Sequence, residues 1–211
     1  SRLVGTFVKF ILNSKKKESD SDEDIILMAK KSAKDGTLTD NERDMISNAL
    51  TLDDIAISEI MTPYSVIYAL DVDETIGTLF KANRELPFGR IPLFYKDLNT
   101  IVGIVRRRDL LSAKAKDQDV MKIRALAQKP IFIKEKAVAA EALKLFLKHR
   151  QQLAIVINDN KETVGVLSME DVIEHIIGEE IFEDDDPAID MRELARLKDT
   201  QSKKKSPPNS L

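Results

Sequence analysis

Ser168 and Asp171 are the residues whose types and spacing could do chemistry. They stand in Gly165-Val166-Leu167-Ser168-Met169-Glu170-Asp171, where a strand-forming run gives way to a helical pattern. At such a junction the Ser168 hydroxyl and the free amides of residues 169–171 point to a common spot, an arrangement that favours a phosphate. A carboxylate three residues on, in the first helical turn, can accept both hydroxyls of a ribose. Charge-assisted bonds of this kind are worth ~1.5–3 kcal/mol each. The same pair also fits a capping box that needs no ligand, with Ser168 as N-cap and Asp171 at the third helical position.

The surrounding chain says the same thing twice. Ile101-Val102-Gly103-Ile104-Val105-Arg106-Arg107-Arg108-Asp109-Leu110-Leu111 recurs as Thr163-Val164-Gly165-Val166-Leu167-Ser168-Met169-Glu170-Asp171-Val172-Ile173, so Gly103 maps onto Gly165 and Asp109 onto Asp171, 62 residues apart. The same offset carries Ile91-Pro92-Leu93-Phe94 onto Leu153-Ala154-Ile155-Val156, while the first strands of the two copies slip by about a residue. Two copies of one supersecondary unit must pack together to bury their apolar faces, and a cleft between them is where a small ligand is expected.

Composition narrows the chemistry. The 211 residues are 43% hydrophobic with a net charge of −3, enough for a core and too neutral to favour nucleic acid or a membrane surface. There is no cysteine, which removes disulfides and thiol chemistry, and only His149 and His175 are present, which removes a histidine-rich metal site. No nucleophile–base pair or metal cluster is visible, so an enzyme is not expected. No apolar run approaches the ~20 residues of a membrane span. The chain starts at Ser1 without methionine, which suggests a piece of something larger.

The elements that must position Ser168 and Asp171 follow from pattern. Residues 1–13 are apolar and basic and precede Lys15-Lys16-Lys17, which suits a juxtamembrane segment as well as a frayed terminus. Helices are expected over Asp22–Lys34, ending at Gly36, and over Thr39–Leu50, opened by a Thr39/Glu42 capping box. A short helix Asp53–Glu59 leads to Met61-Thr62-Pro63, where proline stops it. The first copy then reads as strand Val66–Leu70, helix Glu74–Glu85, strands Gly89–Phe94 and Thr100–Val105, and a helix from Arg107. The second reads as strand Pro130–Ile133, helix Lys136–His149, strands Leu153–Ile157 and Thr163–Leu167, and helix Met169–Ile177. A further short helix is expected near Met191–Lys198, before a tail of disordered composition.

The repeated Gly-apolar-apolar-Ser/Thr-x-x-Asp turn behind a proline-containing strand resembles the cystathionine-β-synthase (CBS) domain pair, or Bateman module, over roughly residues 56–181. The resemblance implies an α+β (α/β) fold. Each CBS domain has a small β-sheet and two helices, the pair is related by a pseudo-twofold axis, and short N-terminal helices precede it. It also implies adenosine nucleotides in the clefts. On that basis the site served by Ser168 and Asp171 is completed by Thr62, Pro63, Tyr64, Ser65 and Val66, with Arg90, Ile91 and Pro92 further on. Val166 lines the adenine slot, Tyr64 stacks on a base or caps the core, and Arg90 neutralises a β- or γ-phosphate or makes a surface salt bridge. The first copy departs from the pattern because Arg106 takes the Ser/Thr position. A bulky cation there could fill the cleft, hold a phosphate from the side, or simply open a solvated basic helix start that the dipole disfavours. One nucleotide site is therefore expected, not two.

The flanking segments Asp35–Ile46, Ile55–Pro63 and Ser168–Ile181 resemble the CorC/HlyC–CNNM group, hemolysin-like proteins in which the CBS pair follows a transmembrane DUF21 domain. That resemblance implies magnesium or other divalent-cation transport and a place at the cytosolic face of the cell membrane. The implied partners are an adenine nucleotide (ATP, or AMP or ADP, with Mg2+), a second copy in a homodimer and the parent's transmembrane domain, but no nucleic acid. A purely structural dimerisation module is the alternative. Tyr64 stands where many bacterial members carry a basic residue, and only about thirty residues follow Ile181, too few for a C-terminal CorC/HlyC domain. The expected division is 1–21 juxtamembrane, 22–55 helical lead-in, 56–118 first CBS domain, 119–181 second, and 182–211 acidic segment, short helix and tail.

Overall fold

Strand pairing repeats as faithfully as sequence does. The computed structural model describes residues 19–82 and 86–179, so the expectations for residues 1–18, for 180–211 and for the end of the Glu74–Glu85 helix fall outside the described residues. Helices are α1 (Ser19–Lys34), α2 (Asp40–Leu50), α3 (Ile57–Ile60), α4 (Ile76–Lys81), α5 (Arg107–Ala115), α6 (Ala139–His149) and α7 (Met169–Ile177). Strands are β1 (Thr62–Pro63), β2 (Leu70–Asp71), β3 (Arg90–Tyr95), β4 (Asp97–Arg106), β5 (Ile131–Lys134), β6 (Leu153–Ile157) and β7 (Thr163–Ser168). They form two units, one helical and one built on sheets.

The helical unit gathers α1, α2, α3, α6 and α7. Its second helix starts as the sequence requires: Glu42 N–H donates to Thr39 Oγ1 at 3.2 Å and Thr39 N–H to Glu42 Oε2 at 2.8 Å. That donation holds the Glu42 carboxyl below its ordinary range. On α1 Ala29 is buried but Ile25 and Met28 are exposed. The expected helix Asp53–Glu59 is broken into a 3-10 turn (Thr51–Asp53) and the single turn of α3. The cause is external pairing. Ile57 N–H donates to Ala137 O and Ala139 N–H to Ile55 O, both at 2.9 Å, so the backbone there joins another segment instead of continuing a helix. Leu52, Ile57, Phe146 and Val172 are buried in this unit.

The sheet unit holds a three-stranded sheet, β2-β3-β4, and a four-stranded one, β1-β7-β6-β5. In each, a parallel pair (β2/β3, β5/β6) adjoins an antiparallel one (β3/β4, β6/β7). The buried cluster of the first sheet is Leu70, Val72, Ile76, Leu79, Ile91, Leu93, Val105, Leu110, Ala113 and Ile123. The register corrects the repeat alignment. Arg90 opposes Arg106 and Leu153 opposes Ser168, so β3 maps onto β6 at 63 residues while β4 maps onto β7 at 62. Ile91-Pro92-Leu93 therefore matches Ala154-Ile155-Val156, all six buried. The first hairpin holds one more residue between Phe94 and Ile101 than the second holds between Ile157 and Thr163, in a bulged stretch that sequence identity alone does not place. A one-residue slip would have exchanged the faces of the strand.

The expected strand Val66–Leu70 is also shorter. Residues Tyr64–Val66 close a 3-10 turn, with Ile67 N–H donating to Tyr64 O at 3.2 Å, and only Leu70–Asp71 joins the sheet. Instead, the residues before that turn, Thr62 and Pro63, form β1 and pair antiparallel with Val166 and Gly165 of β7. Gly165 makes this possible, since a Cβ there would lie 2.7 Å from both Thr62 O and Met61 Sδ.

Gly165→Ala is therefore expected to destabilise the fold by about 1–3 kcal/mol through overpacking of β1 against β7. Gly89, whose added Cβ would meet nothing within 4 Å, serves as the control, and Gly89→Ala should stay within ~0.5 kcal/mol of the parent. Urea denaturation of the two variants checks the difference.

The turn after β6 carries an exposed ion cluster, in which Asp159 accepts from Lys136 and Lys134 and its carboxyl is held below the ordinary range. A carboxylate whose folded pKa is depressed contributes stability above its unfolded value and loses it as pH falls through the folded one. Asp159→Asn should thus leave the melting temperature little changed near pH 7, since exposed pairs are screened, and should soften the fall of melting temperature below about pH 4. Thermal melts from pH 2.5 to 7 on both proteins test this.

Candidate functional site

The residues named from sequence fall into three groups. Thr62, Pro63 and Val166 meet directly, because Thr62 opposes Val166 and Pro63 opposes Gly165 across the β1/β7 ladder. The 3-10 turn Tyr64–Val66 follows at once and packs on β7. Within it Tyr64 and Ser65 are exposed and Val66 is buried. Tyr64 is 36% exposed. Ser168 closes β7, opposite Leu153, and is half-buried. One edge of one sheet thus gathers Thr62, Pro63, Tyr64, Ser65, Val66, Val166 and Ser168.

Arg90, Ile91 and Pro92 belong to the other sheet, at the start of β3. Ile91 is wholly buried in the core cluster and Pro92 is buried too. Arg90 differs. It is half-buried and makes no ion pair with a carboxylate among the described residues. Asp171 lies in the first turn of α7, three residues along the chain from Ser168, and belongs to the helical unit. The apolar residues of that helix are unequal: Val172 is buried, whereas Ile173, Ile176 and Ile177 are half-buried.

The repeat-related positions in the first copy are built differently. Arg106 closes β4 as Ser168 closes β7, and it is the N-cap residue of α5 without any side-chain cap bond to the helix backbone. Its Nε donates to Asp109 Oδ2 at 2.7 Å. Oriented with its carbonyl towards the guanidinium, the Gln128 amide accepts from Arg106 Nη2 at 2.9 Å and from Nε at 3.0 Å. The basic start of α5 is thus no free-standing cation facing a helix dipole, because the first-turn carboxylate neutralises it. Sequence reasoning missed Gln128. Its role shows only in the backbone, where Ile104 and Gln128 exchange hydrogen bonds of 3.0 and 2.8 Å.

Among the described residues no cluster of three or more His, Asp or Glu could hold a metal ion, and no helix is long and apolar enough to cross a membrane.

Comparison with known proteins agrees with this architecture. The family model for the CBS domain matches residues 57–116 and 120–178. A relative from Escherichia coli K12, named magnesium and cobalt efflux protein CorC, is 27% identical over 177 residues, covering 82% of this chain and 60% of its own. The chain spans 25% to 60% of the length of such curated relatives. The solved CBS domain of a bacterial CNNM/CorC family Mg2+ transporter superposes with a TM-score of 0.71 at 28% identity, over 76% of this chain and 98% of that one. A structure of such a domain in complex with ATP gives a TM-score of 0.61 at 31% identity, over 65% of this chain and 98% of that one. With both repeats matched and the two-sheet topology shared, the chain belongs to the CBS domain family, as a tandem pair of the CNNM/CorC group.

Proposed function

We propose that this chain is the regulatory, non-catalytic adenine-nucleotide-binding module of a membrane protein that transports Mg2+ or another divalent cation. It would act at the cytosolic face, coupled to the parent's transmembrane domain. The observation that carries the reading is the β1/β7 ladder. It pairs Thr62 with Val166 and Pro63 with Gly165, and the accessible Tyr64–Ser65 turn that follows packs on β7, the strand that ends at Ser168. The complex of a similar CNNM/CorC domain with ATP supports the ligand class.

In this reading Ser168 and the amides that open α7 hold a phosphate. Asp171 accepts the ribose hydroxyls, Val166 and the Thr62–Val66 segment line the base, and Arg90 offsets charge on the outer phosphates. A half-buried guanidinium is the kind of group that a polyphosphate satisfies. ATP is preferred to ADP and AMP, and Mg2+ strengthens binding by offsetting repulsion between phosphates.

Calorimetric titration of the full chain with ATP, ADP and AMP, with and without Mg2+, tests the assignment. Asp171→Ala should weaken ATP binding roughly tenfold or more while shifting the melting temperature little. A large loss of stability with unchanged affinity would instead favour the capping-box role. Arg90→Ala should cost about tenfold for ATP and leave AMP nearly unaffected.

A second reading, a dimerisation module with no ligand, is favoured by the half-buried Ile173, Ile176 and Ile177 of α7. Such a partly covered apolar face is suited to a second copy. A dimer is expected under either reading, and light scattering at tens of micromolar protein measures it. Absence of heat with every nucleotide, together with a dimer, would select the second reading.

A further inference from the structure

The buried side of the first hairpin fixes which way its end residues face. Ile91 and Val105 oppose each other in the β3/β4 ladder and both belong to the core cluster. Arg90 and Arg106, the next opposed pair, therefore project from the other face of the sheet, with Pro92 and Ile104 following along that face. Arg106 thus shares its surface with Arg90 and Pro92, two residues named for the nucleotide site from the family resemblance. Directly opposed side chains have Cβ atoms about 4.5–5.5 Å apart, and like charges so placed repel. Arg108 adds a third guanidinium at this end of the hairpin. Among the described residues, Asp109 is the carboxylate that pairs with this group, 2.7 Å from Arg106 Nε and 3.8 Å from Arg108 Nε.

We propose that Arg106 joins Arg90 in a cross-strand clamp on the outer phosphates of the nucleotide, and so sets a preference for triphosphate over monophosphate. The inference rests on the reading above for the nucleotide itself, but Arg90, Arg106, Asp109 and Gln128 all lie within the sheet unit. Three features support it. The Arg106 guanidinium is held in place before any ligand arrives: Nε donates to Asp109, and the Gln128 amide, with its carbonyl turned to the guanidinium, accepts from Nη2 at 2.9 Å. Nη1 makes no hydrogen bond or ion pair among the described residues, so it can donate to an oxyanion while the Asp109 pair stays in place. The approach is open as well, because Gly89, beside Arg90, is exposed and a Cβ there would meet nothing within 4 Å. Finally, three guanidinium groups around one carboxylate leave a surplus of positive charge, which outer phosphates offset.

Calorimetric titration of the full chain with ATP and with AMP, at constant Mg2+, tests the clamp. Arg106→Ala should weaken ATP binding roughly tenfold and leave AMP within about twofold of the parent. Asp109→Asn removes the neighbouring negative charge and should strengthen ATP binding by about two- to fivefold. A merely structural Arg106–Asp109 pair would not produce opposite signs. Loss of ATP affinity in Asp109→Asn as in Arg106→Ala assigns both residues to the fold and overturns the clamp. If ATP binds and Arg106→Ala keeps the parent's ratio of ATP to AMP affinity, the clamp is overturned while the nucleotide reading stands. If the parent binds no nucleotide, that reading fails, and sodium tripolyphosphate becomes the probe. Binding of tripolyphosphate that Arg90→Ala and Arg106→Ala each weaken then upholds the clamp as an anion site, and no such binding overturns it. Thermal melts confirm folding. If Arg106→Ala loses its cooperative transition, Arg106→Gln, which keeps a polar side chain beside Gln128 without the charge, takes its place and carries the same expectation.

Discussion

The close approach of β1 to β7 over Gly165 is the constraint on which the rest of the sheet unit depends. Gly165 has no Cβ, so Thr62 O and Met61 can occupy the space that a side chain would fill. Residues more than a hundred positions apart in sequence become ladder partners as a result. The first copy repeats the device in weaker form, with Ala127 at Gly103 and a two-bond bridge between Ile104 and Gln128. In both cases the segment that leads into one copy pairs with the last strand of the other. The two copies thus exchange their leading segments instead of lying side by side as sealed halves.

A two-residue strand is a slender basis for such an exchange. Each backbone hydrogen bond contributes a net ~0.5–1.5 kcal/mol, so the β1 ladder alone would not hold its place against chain entropy. What fixes it is packing on either side. Ile60 and Val66 are buried just before and just after β1, and β7 between its neighbours is closed by Leu167. The turn Tyr64–Val66 is then placed by its buried third residue, while its first two remain exposed. Burial of Val66 and exposure of Tyr64 and Ser65 are two consequences of one anchoring.

Much of this was legible in the sequence, and the failures have physical causes. The capping box at Thr39 and Glu42 uses only local partners, so residue types and spacing suffice to read it. The strands of both hairpins were visible because each is buried and apolar over several residues. The broken helix at 53–59 was not visible, because hydrogen bonds to Ala137 and Ala139 decide it. The hairpin register was misread by one residue for a related reason: the extra residue lies in an exposed, bulged stretch between Phe94 and Ile101, where side-chain pattern carries little information. The list of site residues had the same limit. Ile91 and Pro92 were named for the site from the family resemblance, and the structure buries both, a feature that residue type alone does not separate from ligand contact.

The difference between the copies is one of charge placement. A helix start draws negative charge, whether from a side chain or from a ligand. In the first copy Asp109 supplies that charge and Arg106 neutralises it, so the junction is satisfied without any molecule from outside. In the second copy Ser168 stands at the corresponding strand end. Arg90 sits opposite Arg106 on β3, where a like charge across the ladder disfavours close approach of the two guanidinium groups. The pairing of Arg106 with Asp109 offsets that repulsion, so the like charges of the first hairpin and the carboxylate that opens α5 belong to one electrostatic arrangement.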